Sequence, residues 1–127
     1  MESLSEQAAM VQVDDTTFEA EVIRSPLPVV VDFYADWCAP CRSTEPVLRE
    51  LASRLSGRVK FARVNVDEAE VVTRSFGVHA LPTYLFLESG TEKGREVGPI
   101  APVAFRAVLK RYFAKRRSAS GGTPASR

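Results

Sequence analysis

Two residues of this chain, Cys38 and Cys41, have the type and spacing for redox chemistry as a pair. They are the only cysteines among 127 residues, too few for the disulfide framework of a small secreted protein. With a single histidine in the chain, they are also too few for a structural zinc site, which takes about four Cys or His ligands. Residues three apart on a helix are neighbours, so the two sulfurs can meet the geometry of a disulfide. We therefore expect a reversible dithiol and no bound metal.

The two thiols are predicted to play different roles. Cys38 comes where a buried strand turns into a helix, and backbone N–H groups and the dipole at a helix N-terminus lower the pKa of a thiol. Pro40 suits the first helical turn, where no N–H bond is lost. We expect Cys38 to attack a substrate disulfide and Cys41, one turn further in and more buried, to resolve the mixed disulfide. A C-x-x-C spacing alone leaves an inert or static pair open, but its place in a βαβ context favours redox activity.

Asp32 is the second residue with a chemical signature, because it interrupts the apolar run 29–34. A carboxylate in a strand covered on both faces is costly to bury, so its pKa should be raised. Six residues before Cys38, it is predicted to lie beneath the cysteines and to act as general base for Cys41, directly or through a water. A partly solvated position for this carboxylate is the alternative.

The surrounding pattern predicts the elements that position these residues. The predicted strands are 10–13, 29–34, 59–66, 83–87 and 91–97. The predicted helices are a short one through Phe18, Val22 and Ile23, with N-cap candidates at 14–17, and longer stretches at 38–55, 69–76 and 102–114. Strands and helices alternate until a hairpin closes the order β-α-β-α-β-α-β-β-α. This order predicts an α/β fold, with a central mixed β-sheet flanked by helices on both faces.

Composition and the chain ends bound the class of protein. The chain is 45% hydrophobic and 26% charged, as in soluble globular proteins, and its length suits one domain. No apolar run approaches the roughly 18 to 20 residues that span a bilayer, and the N-terminus lacks the pattern of a secretory signal. We expect a cytoplasmic protein without membrane association. The predicted organisation is an N-terminal extension (1–9), a domain (10–115) and a disordered tail that is basic and rich in Ser and Gly (116–127).

The net charge of +1 averages two unlike parts. Residues 1–96 hold all 16 acidic and 10 of the 17 basic residues, whereas residues 97–127 hold the other seven basic residues and no acidic one. A terminal helix with a solvated cationic face explains the second part, since the helix dipole favours cations near its C-terminus. Docking of an anionic partner or of nucleic acid is the alternative for this stretch, but the net charge of the whole chain gives no case for nucleic acid and we expect no such partner.

The run 31–42, with Trp-Cys-Ala-Pro-Cys at 37–41, resembles the active-site segment of the thioredoxin family. The resemblance continues through Pro46, 64–67, 81–83, Gly90 and Gly98, and it covers roughly residues 10 to 114. It implies the thioredoxin fold and a monomeric protein-disulfide reductase whose redox centre is the Cys38–Cys41 disulfide, with no other cofactor. It also implies protein disulfides as substrates and an NADPH-dependent thioredoxin reductase as the partner that resets the oxidised form.

The same resemblance implies a substrate-binding surface around the pair. Its members would be Trp37, Ala39, Pro40, Leu81, Pro82, Thr83 and Gly98. In the family, the proline matching Pro82 is cis and packs against the cysteines, and its loop offers backbone groups to the substrate. Trp37 would shield the pair, and Gly98 would belong to the apolar rim that receives the substrate.

Some residues depart from the family pattern. Arg63 replaces the lysine near the buried aspartate, and because arginine keeps its proton we expect it to modulate Asp32 differently. Ala39 replaces a familiar glycine, and Ser43 and Thr44 are more polar than the usual pair, which bears on partner preference. A specialised oxidase or isomerase, or a non-catalytic assembly subunit with the same fold, are the alternative functions.

Overall fold

The computed structural model describes the backbone of residues 10–121 and the side chains of residues 10–113. Its elements follow the predicted order. They are β1 (Met10–Val13), a π-helical turn (Glu19–Ile23), β2 (Val29–Tyr34), α1 (Ala39–Arg54), β3 (Lys60–Asn65), α2 (Glu70–Ser75), β4 (Thr83–Glu88), β5 (Thr91–Val97) and α3 (Pro102–Gly121). The predicted alternation of strands and helices, ending in a hairpin and a helix, is therefore confirmed.

The strands of the described residues form one mixed sheet in the order β1-β3-β2-β4-β5. β1 and β2 each run parallel to β3, whereas β4 runs antiparallel to both β2 and β5. All six residues of β2, the central strand, are buried. A strand with neighbours on both sides and helices over both faces has no solvated side, which explains its almost unbroken apolar sequence.

Two apolar clusters lie on opposite faces of this sheet. On one face, α1 and α3 pack over Val30, with Leu48 and Phe105 among the buried contacts. On the other face, the π-helical turn and α2 pack over Val31 through Val22 and Val72. Successive residues of a strand point to opposite faces, so Val30 and Val31 fall into different clusters. The prediction of helices on both faces of a mixed sheet is confirmed.

The last helix is longer than the sequence pattern predicted. We expected it to end at residue 114, but the helical backbone continues to Gly121. The Ala and basic residues at 114–117 are strong helix formers, which accounts for the extension. The predicted tail thus begins within α3, whereas residues 1–9 and 122–127 lie outside the described residues. No helix of the described part is long and apolar enough to cross a membrane.

One close contact joins α3 to the edge strand β5. The ring of Tyr112 lies against the backbone of Gly94, where an added Cβ would collide with it. The same ring packs on Phe86 with centroids 4.8 Å apart, and its hydroxyl donates a hydrogen bond to Glu96 Oε2 at 2.6 Å. Only glycine fits at position 94, because the Tyr112 ring is held by Phe86 and Glu96 and has little room to move away from an added side chain.

Gly94→Ala should lower the free energy of unfolding by about 1 to 3 kcal/mol, the usual range for overpacking a tight site. Urea denaturation of the oxidised protein measures it. The control is the same substitution in a Tyr112→Ala background, where the obstructing ring is gone and the penalty should largely disappear. An equal penalty in both backgrounds would show that the Tyr112 ring is not the cause.

Candidate active site

The Cys38–Cys41 pair lies where β2 leads into α1. Cys38 has an extended backbone with φ −88° and is the N-cap of the 16-residue helix, with Pro40 in its first turn. The two cysteines form a disulfide whose Cα atoms are 5.3 Å apart. The Cys41 backbone N–H donates a hydrogen bond to Cys38 Sγ at 3.3 Å. The sulfur of Cys38 therefore occupies the position at which a helix N-terminus stabilises negative charge.

The two cysteines differ in burial in the predicted direction. Cys38 is 5% exposed and Cys41 1% exposed. Ala39 and Pro40, between them, are exposed. A partner can thus approach the pair over the Ala39–Pro40 turn.

Trp37 stands beside the pair as an exposed aromatic residue, with 69% of its surface accessible. Its indole Nε1–H donates a hydrogen bond to Asp67 Oδ2 at 2.9 Å, which fixes the ring. Asp67 lies in the segment 64–67 that resembles the family, but no role was predicted for it. Its place just after β3 was the available signal, because the carboxyl ends of parallel strands meet at one edge of a sheet.

The loop before β4 lies next to the disulfide. The Leu81–Pro82 peptide bond is cis, as the resemblance implied, and Leu81 packs against the small cluster that contains both cysteines. Pro82 O accepts a hydrogen bond from Gly98 N at 2.8 Å, which joins this loop to the end of β5. Thr83 is buried and its hydroxyl donates to Ala80 O at 2.6 Å. The structure therefore connects Leu81, Pro82, Thr83 and Gly98 with one another, and Leu81 with the cysteines.

Asp32 is buried in β2, with only 2% of its surface exposed. Its register neighbours are Arg63 on β3 and Tyr84 on β4. Neither carboxylate oxygen has a hydrogen-bond partner among the described residues. Burial raises the pKa of Asp32 from 3.8 to about 6, although the positive charge of Arg63 opposes this increase. The predicted buried position and raised pKa agree with the structure, and the partly solvated alternative does not.

A hydrogen-bonded path connects the surroundings of Asp32 with the first turns of α1. The hydroxyl of Tyr84 donates to Thr44 Oγ1 at 3.3 Å, and Thr44 Oγ1 donates to Cys41 O at 3.1 Å. Asp32 and Tyr84 point to the same face because they are register partners in adjacent strands. The carboxylate therefore faces the side of the sheet that α1 covers.

Arg63, predicted to modulate Asp32, lies beside it. The Nε atom of Arg63 is 3.5 Å from Asp32 Oδ2, close enough for an ion pair. No hydrogen bond forms, since Arg63 Nε is itself without a hydrogen-bond partner among the described side chains. The guanidinium instead stacks on Tyr34, with Cζ 3.7 Å from the ring centroid. The Arg63–Asp32 distance is thus longer than expected for a buried ion pair.

Comparison with known proteins decides the family. The sequence model of the thioredoxin domain matches residues 9–111. The chain is 36% identical over 106 residues to thioredoxin 1 of Nostoc sp., which covers 84% of this chain and 99% of that protein. It is 37% identical over 91 residues to thioredoxin of Haemophilus influenzae, covering 72% of this chain and 85% of that one. The chain belongs to the thioredoxin family.

A more distant member is the M-type chloroplastic thioredoxin of Brassica napus. It is 32% identical over 101 residues, which are 80% of this chain and 57% of that protein. Membership and the Cys38–Cys41 disulfide make this chain a thiol–disulfide oxidoreductase of the thioredoxin fold. Disulfide-containing substrates and a thioredoxin reductase are the partners that the family implies. Within residues 10–121, no group of three or more His, Cys, Asp or Glu residues could hold a metal ion.

Asp32→Asn should stabilise the protein at high pH and not at low pH. Because the pKa of Asp32 is higher in the fold than its ordinary 3.8, the fold binds this proton more tightly than the unfolded chain does. Ionised Asp32 therefore destabilises the fold, a penalty that is absent below about pH 4 and complete above about pH 6. At about pH 8 we expect a gain on the order of 3 kcal/mol for the variant. Urea denaturation of the oxidised proteins at about pH 3 and 8 measures it, and a difference independent of pH would contradict the burial of a charge.

Proposed function

We propose that this thioredoxin-family protein is a general protein-disulfide reductase in which Cys38 attacks the substrate and Cys41 resolves the mixed disulfide. The observation that carries the proposal is the hydrogen bond from Cys41 N to Cys38 Sγ at the start of α1. Backbone N–H groups there stabilise a thiolate, the nucleophilic form of cysteine. Cys41 is more deeply buried and lies one turn away, so it can reach Cys38 but not an incoming partner.

The proposed cycle transfers two electrons to the substrate. The Cys38 thiolate attacks one sulfur of a substrate disulfide, forming a mixed disulfide and releasing the other substrate sulfur as a thiolate. Cys41 then loses its proton and attacks Cys38 Sγ. The Cys38–Cys41 disulfide forms, the mixed disulfide breaks and the second substrate thiol leaves. The substrate is reduced and the protein is oxidised to the disulfide state seen here.

Asp32 is the proposed proton acceptor for Cys41. A general base is most effective when its pKa lies near the working pH, and burial brings the pKa of Asp32 to about 6. The carboxylate has no hydrogen-bond partner among the described residues, so its oxygens are available to a proton or a water. Its neighbour Tyr84 is linked through Thr44 to Cys41, which supports a position beneath the resolving cysteine.

The proposed substrate surface surrounds the pair. Its members are Trp37, Ala39, Pro40, Leu81, Pro82, Thr83 and Gly98. Trp37, Ala39 and Pro40 are exposed beside the sulfurs. The 81–83 loop packs against the pair through Leu81 and is joined to Gly98. Exposed apolar side chains beside the pair suit an unfolded or extended substrate segment better than a charged ligand.

The proposed compartment and reductase are those that would keep the Cys38–Cys41 pair reduced. A dithiol that reduces disulfides must itself be kept reduced, so we propose a cytoplasmic monomer that an NADPH-dependent thioredoxin reductase resets. The domain is assigned to residues 10–115. The proposal includes no nucleic-acid partner, no membrane partner and no cofactor beyond the disulfide.

Measuring the reduction potential separates this reductase from an oxidase or isomerase. A value near that of a strong oxidant would contradict the reductase assignment.

Cys38→Ser and Cys41→Ser should fail in different ways in an insulin-reduction assay with dithiothreitol. Cys38→Ser should fall to the rate of dithiothreitol alone, because the nucleophile is missing. Cys41→Ser should accumulate a mixed disulfide with the substrate, visible by non-reducing electrophoresis and mass spectrometry, because attack proceeds and resolution does not. Full turnover by Cys38→Ser, or substrate capture by Cys38→Ser in place of Cys41→Ser, would reverse the assignment.

Asp32→Asn should slow the resolution step and spare the attack step. General bases contribute about 10²- to 10⁴-fold in rate, and a water can take over part of this role, so we expect a loss of at least about tenfold near pH 7. The rise of the resolution rate through about pH 6 should also disappear, since that is where Asp32 ionises. Stopped-flow measurement of each step between about pH 5 and 8 provides the test. A variant that keeps the wild-type pH profile would rule Asp32 out as the acceptor.

A further inference from the structure

Arg63 is shared between two carboxylates on different elements. Its Nε atom is 3.5 Å from Asp32 Oδ2, and its Nη1 atom is 3.7 Å from Glu45 Oε2 on α1. Neither distance is that of a tight charge-assisted hydrogen bond, which is about 2.7 to 2.9 Å. The Arg63 guanidinium therefore lies near both carboxylates and forms a close ion pair with neither.

Glu45 is itself held firmly on the helix surface. Arg49, one turn along α1, donates to Glu45 Oε2 through Nε at 2.9 Å and through Nη2 at 2.7 Å. Four alternating charges thus run from the core to solvent. The exposed side-chain fractions are 3% for Asp32, 10% for Arg63, 31% for Glu45 and 47% for Arg49.

Because Arg63 interacts with both Asp32 and Glu45, it stabilises the ionised form of Asp32 less than a close ion pair would. Tyr34 supports the guanidinium from below through the stacking contact, and Glu45 attracts its Nη1 end toward the surface. Both atoms that would make a close ion pair, Asp32 Oδ2 and Arg63 Nε, remain without a hydrogen bond among the described residues. A close pair with a permanent cation would stabilise the ionised carboxylate and make it a weaker base.

We propose that Glu45, anchored by Arg49, is a positioning residue that holds Arg63 short of a close ion pair with Asp32, and so keeps Asp32 effective as the proton acceptor for Cys41. The inference deepens the proposed function and rests on its assignment of Asp32. Nothing in the sequence singles out Glu45, which has the appearance of an ordinary partner in a surface ion pair four residues from Arg49.

The charged and titratable groups that face Asp32 come from three packed elements. Arg63 faces it from β3 and Tyr84 from β4, while Glu45 acts on it from α1. Glu45 raises the pKa of Asp32, Arg63 lowers it, and the pKa of Tyr84 is itself raised above its ordinary value of 10, mainly by burial. In the oxidised protein the cysteines are bonded and do not titrate. The carboxyl carbon of Asp32 therefore reports its own ionisation when followed by NMR.

The test is the Asp32 titration midpoint of the oxidised full-length chain with Glu45→Gln. We expect a midpoint lower by on the order of 0.5 pH unit, because Arg63 is released toward Asp32 and a nearby negative charge is lost. Glu45→Asp should restore part of the shift. The matched control is Glu50→Gln on the same helix, since Glu50 pairs with Arg54 at 2.7 Å in the same i,i+4 arrangement with both side chains more than half exposed. That variant should leave the midpoint in place.

A second background separates positioning from simple charge repulsion. If Glu45 acts through Arg63, Glu45→Gln should move the midpoint less than half as far when Arg63→Met is already present. An unmoved midpoint in the single variant, or an equal shift in both backgrounds, overturns the positioning role of Glu45. Neither result changes the proposed role of Asp32, which fails if Asp32→Asn leaves the resolution rate or its pH profile unchanged.

Discussion

The chemistry of this protein depends on the junction between β2 and α1. β2 is buried along its whole length, so its carboxyl end is fixed by neighbours on both sides. The chain then turns with Cys38 in an extended conformation, and the helix begins at the next residue. One sulfur is thereby held at the helix N-terminus and the other one turn inside, without any specialised loop. The same central strand carries Asp32 into the interior beneath that helix, so the proposed nucleophile and the proposed base are positioned by one element.

Asp32 shows that the fold accepts a destabilising group at its centre. A hydrophobic residue at this position of β2 would complete the cluster under α1 and α3 without any desolvation cost. The carboxylate instead lies between Arg63 and Tyr84, its register neighbours, and its oxygens accept no hydrogen bond from the described residues. The raised pKa and the expected loss of stability express the same free energy, because both arise from the penalty of ionising a buried group. A residue that costs stability and lies on the face of the sheet that α1 covers fits the proposed role in the reaction better than a role in folding.

The sequence alone was enough to predict the element order, the mixed sheet, the helix-capping cysteine and the buried carboxylate. These follow from patterns that repeat along the chain or from a motif with a close family resemblance. The end of α3 was missed, because a basic stretch rich in small residues is compatible with both a tail and a helix. The hydrogen bond between Trp37 and Asp67 joins residues 30 apart, and the ion pair between Arg63 and Glu45 joins a strand to a helix. Neither contact follows from local periodicity, although the position of Asp67 just after β3 places it at the same sheet edge as Trp37. Such contacts depend on how side chains cross the space between elements, which sequence periodicity does not encode.

The presence of arginine at position 63 explains why other residues near Asp32 must limit the attraction between the two charges. A lysine near a buried carboxylate can lose its own proton when desolvated, so the pair can share one proton between them. Arginine keeps its charge at every physiological pH, and its attraction for Asp32 can be changed only by moving the guanidinium or by giving it another partner. The structure contains both features. The Arg63 guanidinium stacks on the Tyr34 ring, and the Glu45 carboxylate lies near its Nη1 atom as a second partner. A permanent cation beside Asp32 is thus compatible with the proposed role of this residue as a proton acceptor, provided that the cation also interacts with other groups.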